Sequence, residues 1–257
     1  MSAFSNIHFK FLPMSVRVLF TSALIVFGTG YLMAMIQVWE NHANRDGDPM
    51  LTAKDLMISY SGNPEGTRME SALRGSMSGM LPEEEKQVLF DWLHGGAPQD
   101  AFEGTVNPIL QTYCIACHSP EANPHLPDFT KAEGVAKVTE ADAGMNVHTL
   151  IRVSHIHLFS ITFIFFIVGY IFTHAYVRPV WLKCILIAAP FAVLLTDVAS
   201  WYLTKIWGGF AWVVILSGAI MGTSFAAMWI ISMYQMWLYK PSAELVAQQG
   251  RVPTMER

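Results

Sequence analysis

The sequence predicts an all-α membrane fold: four transmembrane helices, with a small helical domain inserted between the first and second spans. Three observations predict it. The chain is 53% hydrophobic and only 14% charged, whereas an ordinary soluble domain carries about a quarter charged residues. That deficit is confined to four apolar runs, at 17–38, 155–177, 181–203 and 210–238, each reaching the ~20 residues a helix needs to cross the hydrocarbon core. Between the first two runs, residues 39–153 are polar and rich in turn formers. The expected division is an N-terminal segment at 1–16, an anchor helix at 17–38, an extramembrane domain at 39–153, a three-helix bundle at 154–238 and a tail at 239–257.

The first run, "RVLFTSALIVFGTGYLMAMIQV", exceeds the roughly 7–15 apolar residues of a signal peptide, and no small-x-small cleavage pattern precedes Trp39. It reads as an uncleaved anchor. "YVRPV" and "TKIWGG" separate the later spans. Lys10 and Arg17 precede the first span, Arg178 and Lys183 bracket the turn between the second and third, and Lys240, Arg251 and Arg257 follow the fourth. Only Lys205 lies in the turn between spans three and four. The positive-inside tendency puts the basic side in the cytoplasm. The 39–153 domain then lies across the membrane, in the periplasm if the bilayer is a bacterial inner membrane. A net charge of −4 gives no basic surplus for a nucleic-acid partner. The tail "KPSAELVAQQGRVPTMER" lacks a core pattern and is expected to be mobile.

Two of the three cysteines stand in "TYCIACHS", as Cys114, Cys117 and His118. A redox disulfide pair would leave the histidine without a role. Half a zinc site would need a second ligand pair, and Cys184 belongs to a different segment, at the start of a span. C-x-x-C-H has one reading that uses every residue: both thiols add to haem vinyl groups and the adjacent imidazole ligates the iron. One helical turn brings both thiols to the porphyrin edge.

The flanking sequence carries a resemblance. "GTVNPILQTYCIACHSPEANPHLPDFTK" is similar to the opening of a planctomycete-type cytochrome c domain, and the upstream "GNPEGTRMESALRGSMSGMLPEEEKQVLFDWLHGGAP" resembles the closing part of one. The order is reversed, so residues 60–140 resemble a circularly permuted cytochrome c domain. The resemblance implies one covalent haem c held by Cys114 and Cys117, with His118 as axial ligand. It also implies a second axial methionine from the loop before "LPEEEK", which holds Met77 and Met80. Met77 is preferred because the family ligand sits several residues before the helix. The alternatives are His155 and His157 at the start of the second span, with Met145, His148 and His125 behind them.

Within "LPEEEKQVLFDWLHGGAP", three glutamates occupy a first turn, where acids favour the helix dipole. Val88, Leu89, Trp92 and Leu93 recur at helical spacing and Gly95–Gly96 end the helix. In the spans, ionisable groups are costly, which singles out Asp197 and His157. The pair reads either as interhelical hydrogen bonding or as a quinol site delivering electrons to the haem. "GAIMG" places Gly218 and Gly222 on one helix face, open to close approach by another helix. The expected function is single-electron transfer at the periplasmic face, as a subunit of a respiratory or related complex. Its expected partners are other membrane subunits, a periplasmic electron carrier and the lipid bilayer. A quinol-oxidising reductase, with quinone as a further cofactor, and a structural subunit with a non-transferring haem are the alternatives.

Overall fold

A computed structural model describes residues 7–249 of the chain. Arg251 and Arg257, the first residues of the 1–16 segment and the end of the tail lie outside the described residues. Among the described residues the regular structure is helical, and the extended pairing is one isolated bridge, Thr67 with Ala141. Two compact units are present. One comprises the chain up to Met35, Leu150–Trp201 and the chain from Trp212 onward; the other comprises Ile36–Thr149 and Tyr202–Ala211.

Four helices have the length and composition to cross a membrane: α1 (Met14–His42), α8 (Val147–Phe172), α9 (Val180–Thr204) and α10 (Ala211–Trp237), the last preceded by a short 3-10 turn at Gly208–Phe210. The chain is a multi-pass membrane protein. Hydropathy alone placed the second span later, at 155–177. The helix starts at Val147 because Asn146 offers its side-chain oxygen to the Thr149 amide, a cap that no apolar count detects. It stops at Phe172, and the turn that follows contains Pro179, which cannot continue a helix.

In the first unit, α1 packs against α10. Tyr31 stacks on Phe225 with ring centroids 4.4 Å apart, and the Trp229 indole donates to Leu24 O at 2.7 Å. A Cβ on Gly222 would stand 3.0 Å from the Tyr31 hydroxyl. This glycine therefore lets α1 approach, while a Cβ on Gly218 would meet nothing within 4 Å. Arg17 donates to Met236 O, Lys10 to Trp237 O, and Trp237 to the Thr21 hydroxyl. These cations satisfy carbonyls that the end of α10 leaves without helical partners, where the macrodipole favours positive charge. Gln235 holds Tyr176 through both its backbone N–H and its carbonyl. The tail differs from expectation. Residues Ala243–Gln249 form a helix, α11, with Leu245 buried at 4% exposure, so one apolar residue docks a segment that reads as polar.

The second unit is built from short helices: α2 (Ala53–Ser61), α3 (Arg68–Arg74), α4 (Glu83–His94), α5 (Gln99–Ala101), α6 (Asn107–Ile109) and α7 (Ala132–Thr139). Helices this short are not stable alone, and two of them, α2 and α3, begin on a side-chain cap. Thr52 and Asp55 form a reciprocal capping box on α2. The Thr67 hydroxyl accepts the Glu70 amide on α3. Leu73, Leu89, Trp92, Val106, Leu110 and Val135 contribute to one apolar core.

One backbone crossing ties two segments of this unit together. Gly62 and Gly144 both have positive φ, and a Cβ on either would overlap the backbone of the other segment, Asp142 O or Tyr60 O. Only glycine fits there. The Lys205 ammonium gathers the carbonyls of Tyr60, Ala143 and Met145 at 2.7–3.2 Å.

Candidate functional site

The approach to the C-x-x-C-H motif is helical but not α-helical throughout. Phe102–Val106 and Leu110–Cys114 are π-helical and alternate with α5 and α6 in a continuous run. Pro108 has no amide to donate and its ring crowds the Gly104 carbonyl four residues back, within the first segment, where Asn107 N–H bonds to Phe102 O; in the second, Ile115 N–H bonds to Leu110 O at 3.0 Å. Such widened turns are rare and recur at functional sites. Val106 and Leu110 face the core, which fixes the rotation at which Cys114 leaves the helix.

Cys114 to His118 close one tight turn. The amides of Cys117 and His118 both donate to Cys114 O, at 3.1 and 2.9 Å. Cys114 is half-buried and packs against the core; Cys117 is exposed. Burial pushes the Cys114 thiol above its ordinary pKa, and Cys117 adds to the effect. A thiol held protonated is a poor nucleophile and metal ligand, whereas an uncharged thioether suits that environment. Among the described residues no group of three His, Cys, Asp or Glu is gathered that could hold a metal ion. The zinc reading therefore has no second half, since a structural zinc takes four such ligands.

His118 is oriented from both sides. Its Nδ1 lies 3.1 Å from Pro127 O, its ring stacks on Phe129 at 4.3 Å and 4°, and its carbonyl accepts the Phe129 amide at 2.9 Å. A carbonyl can only accept, so Nδ1 carries the proton and Nε2 of the neutral ring keeps its lone pair. That is the arrangement of a metal-ligating histidine whose second nitrogen is held by a backbone carbonyl. The loop that does this is fixed by Asp128, which accepts from the Thr130 amide and hydroxyl and pairs with Lys131 at 3.4 Å. A Cβ on Gly134 would overlap Asp128 O, so α7 closes on the loop only with glycine there. Pro127, Phe129 and Gly134 escaped the sequence reading. The signal for the first two is "LPDF", which begins eight residues after the motif histidine.

The methionines separate. Met77 is partly buried and packs against the same core as Cys114, with its amide bonded to Ala72 O. Met80 is 62% exposed. His155 is exposed against Phe159, and His157 is half-buried, 5.0 Å from the Trp201 ring and bonded through Nδ1 to Val153 O of its own helix. Both belong to the first unit, as does Asp197, which is buried one turn before Trp201 in α9. His157 and the Asp197 turn thus converge on Trp201. His125, His148 and Met145 take no part in the turn at His118; Met145 bonds through its amide to Ser59 O.

A family model described as a transmembrane helical domain matches residues 136–243, the stretch that contains α8, α9 and α10. No curated protein and no solved structure matches the chain.

Proposed function

We propose that the chain is a membrane-anchored, mono-haem c-type cytochrome that passes single electrons at the periplasmic face of a bacterial inner membrane, as a subunit of an electron-transfer complex. The observation that carries this reading is the turn at Cys114–His118, in which two thiols flank an imidazole whose Nδ1 is already committed to Pro127 O. These residues fit a haem: Cys114 and Cys117 would form the thioethers, and His118 Nε2 would be the axial donor. When bound, the haem supplies reversible one-electron chemistry. The protein's part is to fix the imidazole, exclude water with the Leu110 and Phe129 side of the core, and offer a second ligand. Met77 is the better second donor, because it already belongs to that core.

The permuted arrangement has support in the turn at 95–98. It joins α4 to the helical run that carries the motif, with Gly96 and Ala97 at positive φ and the Trp92 indole bonded to Pro98 O at 3.0 Å. Trp92 and Phe102 then meet across the join, with ring centroids 6.0 Å apart. Permutation requires old chain ends that lie close together, and a short turn between two packed segments meets that requirement. The gathering of Lys10, Arg17 and the α8–α9 turn at one end of the first unit supports a common side for the basic segments.

The test is a reduced-minus-oxidised visible spectrum with pyridine haemochrome quantification on the full chain. One covalent haem per chain is expected, and none in Cys114→Ser/Cys117→Ser. A sulfur-to-iron charge-transfer band in the oxidised spectrum, absent in Met77→Ala and retained in Met80→Ala, assigns the second ligand. A chain matured where c-type attachment takes place but carrying no covalent haem ends the proposal.

A further inference from the structure

The turn between α8 and α9 borders a cavity of about 290 Å³ within the first unit. His8, His174, Tyr176, Arg178, Lys183 and Leu245 are among its lining residues. Two of the residues that line it, Arg178 and Lys183, are cationic. Among the side chains that are described, no carboxylate lies within ion-pair distance of Arg178 or Lys183. Lys183 donates to Thr173 O and Ala175 O at 2.6 and 2.7 Å. That anchors its ammonium at the rim and leaves one of its three N–H groups for a ligand. The exposed Arg178 guanidinium lies 5.6 Å over the Tyr176 ring, which orients it without using its donors.

The imidazoles are built differently. His8 Nε2 contacts Gln235 at 3.1 Å and His174 Nδ1 donates to Ile7 O at 2.7 Å. Burial holds both below the usual histidine pKa, so the standing charge belongs to Arg178 and Lys183. The 25-residue helix α9 begins at Val180, another lining residue, so the positive end of its dipole lies at the cavity. Trp181 is 63% exposed beside it, and tryptophan and tyrosine mark the depth of lipid headgroups. Leu245 of α11 closes the cavity with an apolar wall.

We propose that this cavity holds a phosphate group presented by the headgroup of an anionic phospholipid. Arg178 takes two phosphate oxygens in the forked geometry that guanidinium favours. Lys183 supplies the second charge, and Val180 and Leu245 lie against the glycerol and first acyl carbons. Basic pockets between membrane helices are suited to such headgroups. No residue of the proposed haem site takes part.

The experiment is native mass spectrometry of the full chain released from detergent, with phosphatidylglycerol, phosphatidylcholine and inorganic phosphate as separate probes. One phosphatidylglycerol per chain is expected to be retained over phosphatidylcholine. Its affinity should fall about tenfold or more in Arg178→Gln, as loss of a charge-assisted pair predicts. Lys240→Gln, an exposed cation that does not line the cavity, should leave it unchanged. Arg178-dependent binding of inorganic phosphate with no lipid retained assigns the same chemistry to a soluble phosphate. Equal retention of the two lipids, or full retention by Arg178→Gln, overturns the proposal.

Discussion

Helices α10 and α4 both bury large apolar side chains on one face, Phe225 and Met228 in the first and Leu89 and Trp92 in the second, but they differ in what else they bury and what they leave outside. In α10, Ser217, Ser224 and Ser232 are buried while Leu216 and Ile230 are 61% and 58% exposed. In α4, Leu89, Phe90, Trp92 and Leu93 are buried, and Glu83, Glu84 and Asp91 lie outside. The difference follows from the solvent. Lipid is as apolar as leucine, so a span gains little by hiding leucine and gains contact by turning small residues inward. Water makes the exposed leucine costly and the exposed carboxylate free, so α4 keeps its apolar stripe. The two helices read the same hydrophobic alphabet with opposite meanings.

The largest effect that follows is an asymmetry between two identical substitutions. Leu89→Ala removes a side chain that is 1% exposed and should destabilise its unit by about 2–5 kcal/mol. Leu216→Ala, on the outer face of α10, should change stability by less than about 0.5 kcal/mol. Chemical unfolding of the full chain in detergent, followed by near-ultraviolet circular dichroism, compares them. Equal losses would mean that the outer face of α10 is packed against protein rather than lipid.

The spans were legible because length and hydropathy are enough to declare a membrane helix, and their bounds were not because bounds depend on single polar atoms such as the Asn146 side chain. The same division runs through the candidate site. Cys114, Cys117 and His118 announce themselves by identity and spacing. What orients His118 is a carbonyl on Pro127 and a ring on Phe129, supplied by a loop whose path depends on Gly134. A backbone acceptor is not encoded by the side chain of its residue, so "LPDF" marks the loop but not the bond from Pro127 O to the imidazole. Leu245 was missed for a related reason, since one docking residue sets up no periodicity.

A smaller effect sharpens the contrast between capped and uncapped helices. Thr52→Ala removes the hydroxyl that accepts the Asp55 amide at 3.1 Å and breaks the capping box on α2. A loss of about 1 kcal/mol is expected, seen as faster amide exchange at Lys54 and Asp55. Thr29→Ala should cost nothing comparable, because its hydroxyl bonds back to Ile25 O in mid-helix and caps no helix end. A similar loss in both would assign the effect to threonine packing instead of capping.

The smallest effect concerns the loop that holds His118. The Asp128 carboxyl is held below the usual carboxylate range by the Thr130 hydroxyl first, helped by the Thr130 amide and Lys131, against the opposing effect of burial. A depressed native pKa means that the ionised form is the one the fold favours. The contribution is therefore present above the unfolded-state value and is lost as pH falls through the lower, native one. Asp128 is half-buried at the surface, where solvent screens its interactions, so the change is local: the Thr130 amide, 2.9 Å from Asp128 Oδ1, and the Phe129 amide, bonded to His118 O, are the reporters. Their exchange, corrected for the intrinsic pH dependence, should show protection that falls off in acid in the native chain. In Asp128→Asn the side chain keeps an acceptor for Thr130 but cannot titrate, so that step should vanish. An acid step of the same size in Asp128→Asn would place the titrating group elsewhere and remove Asp128 from the machinery that orients His118.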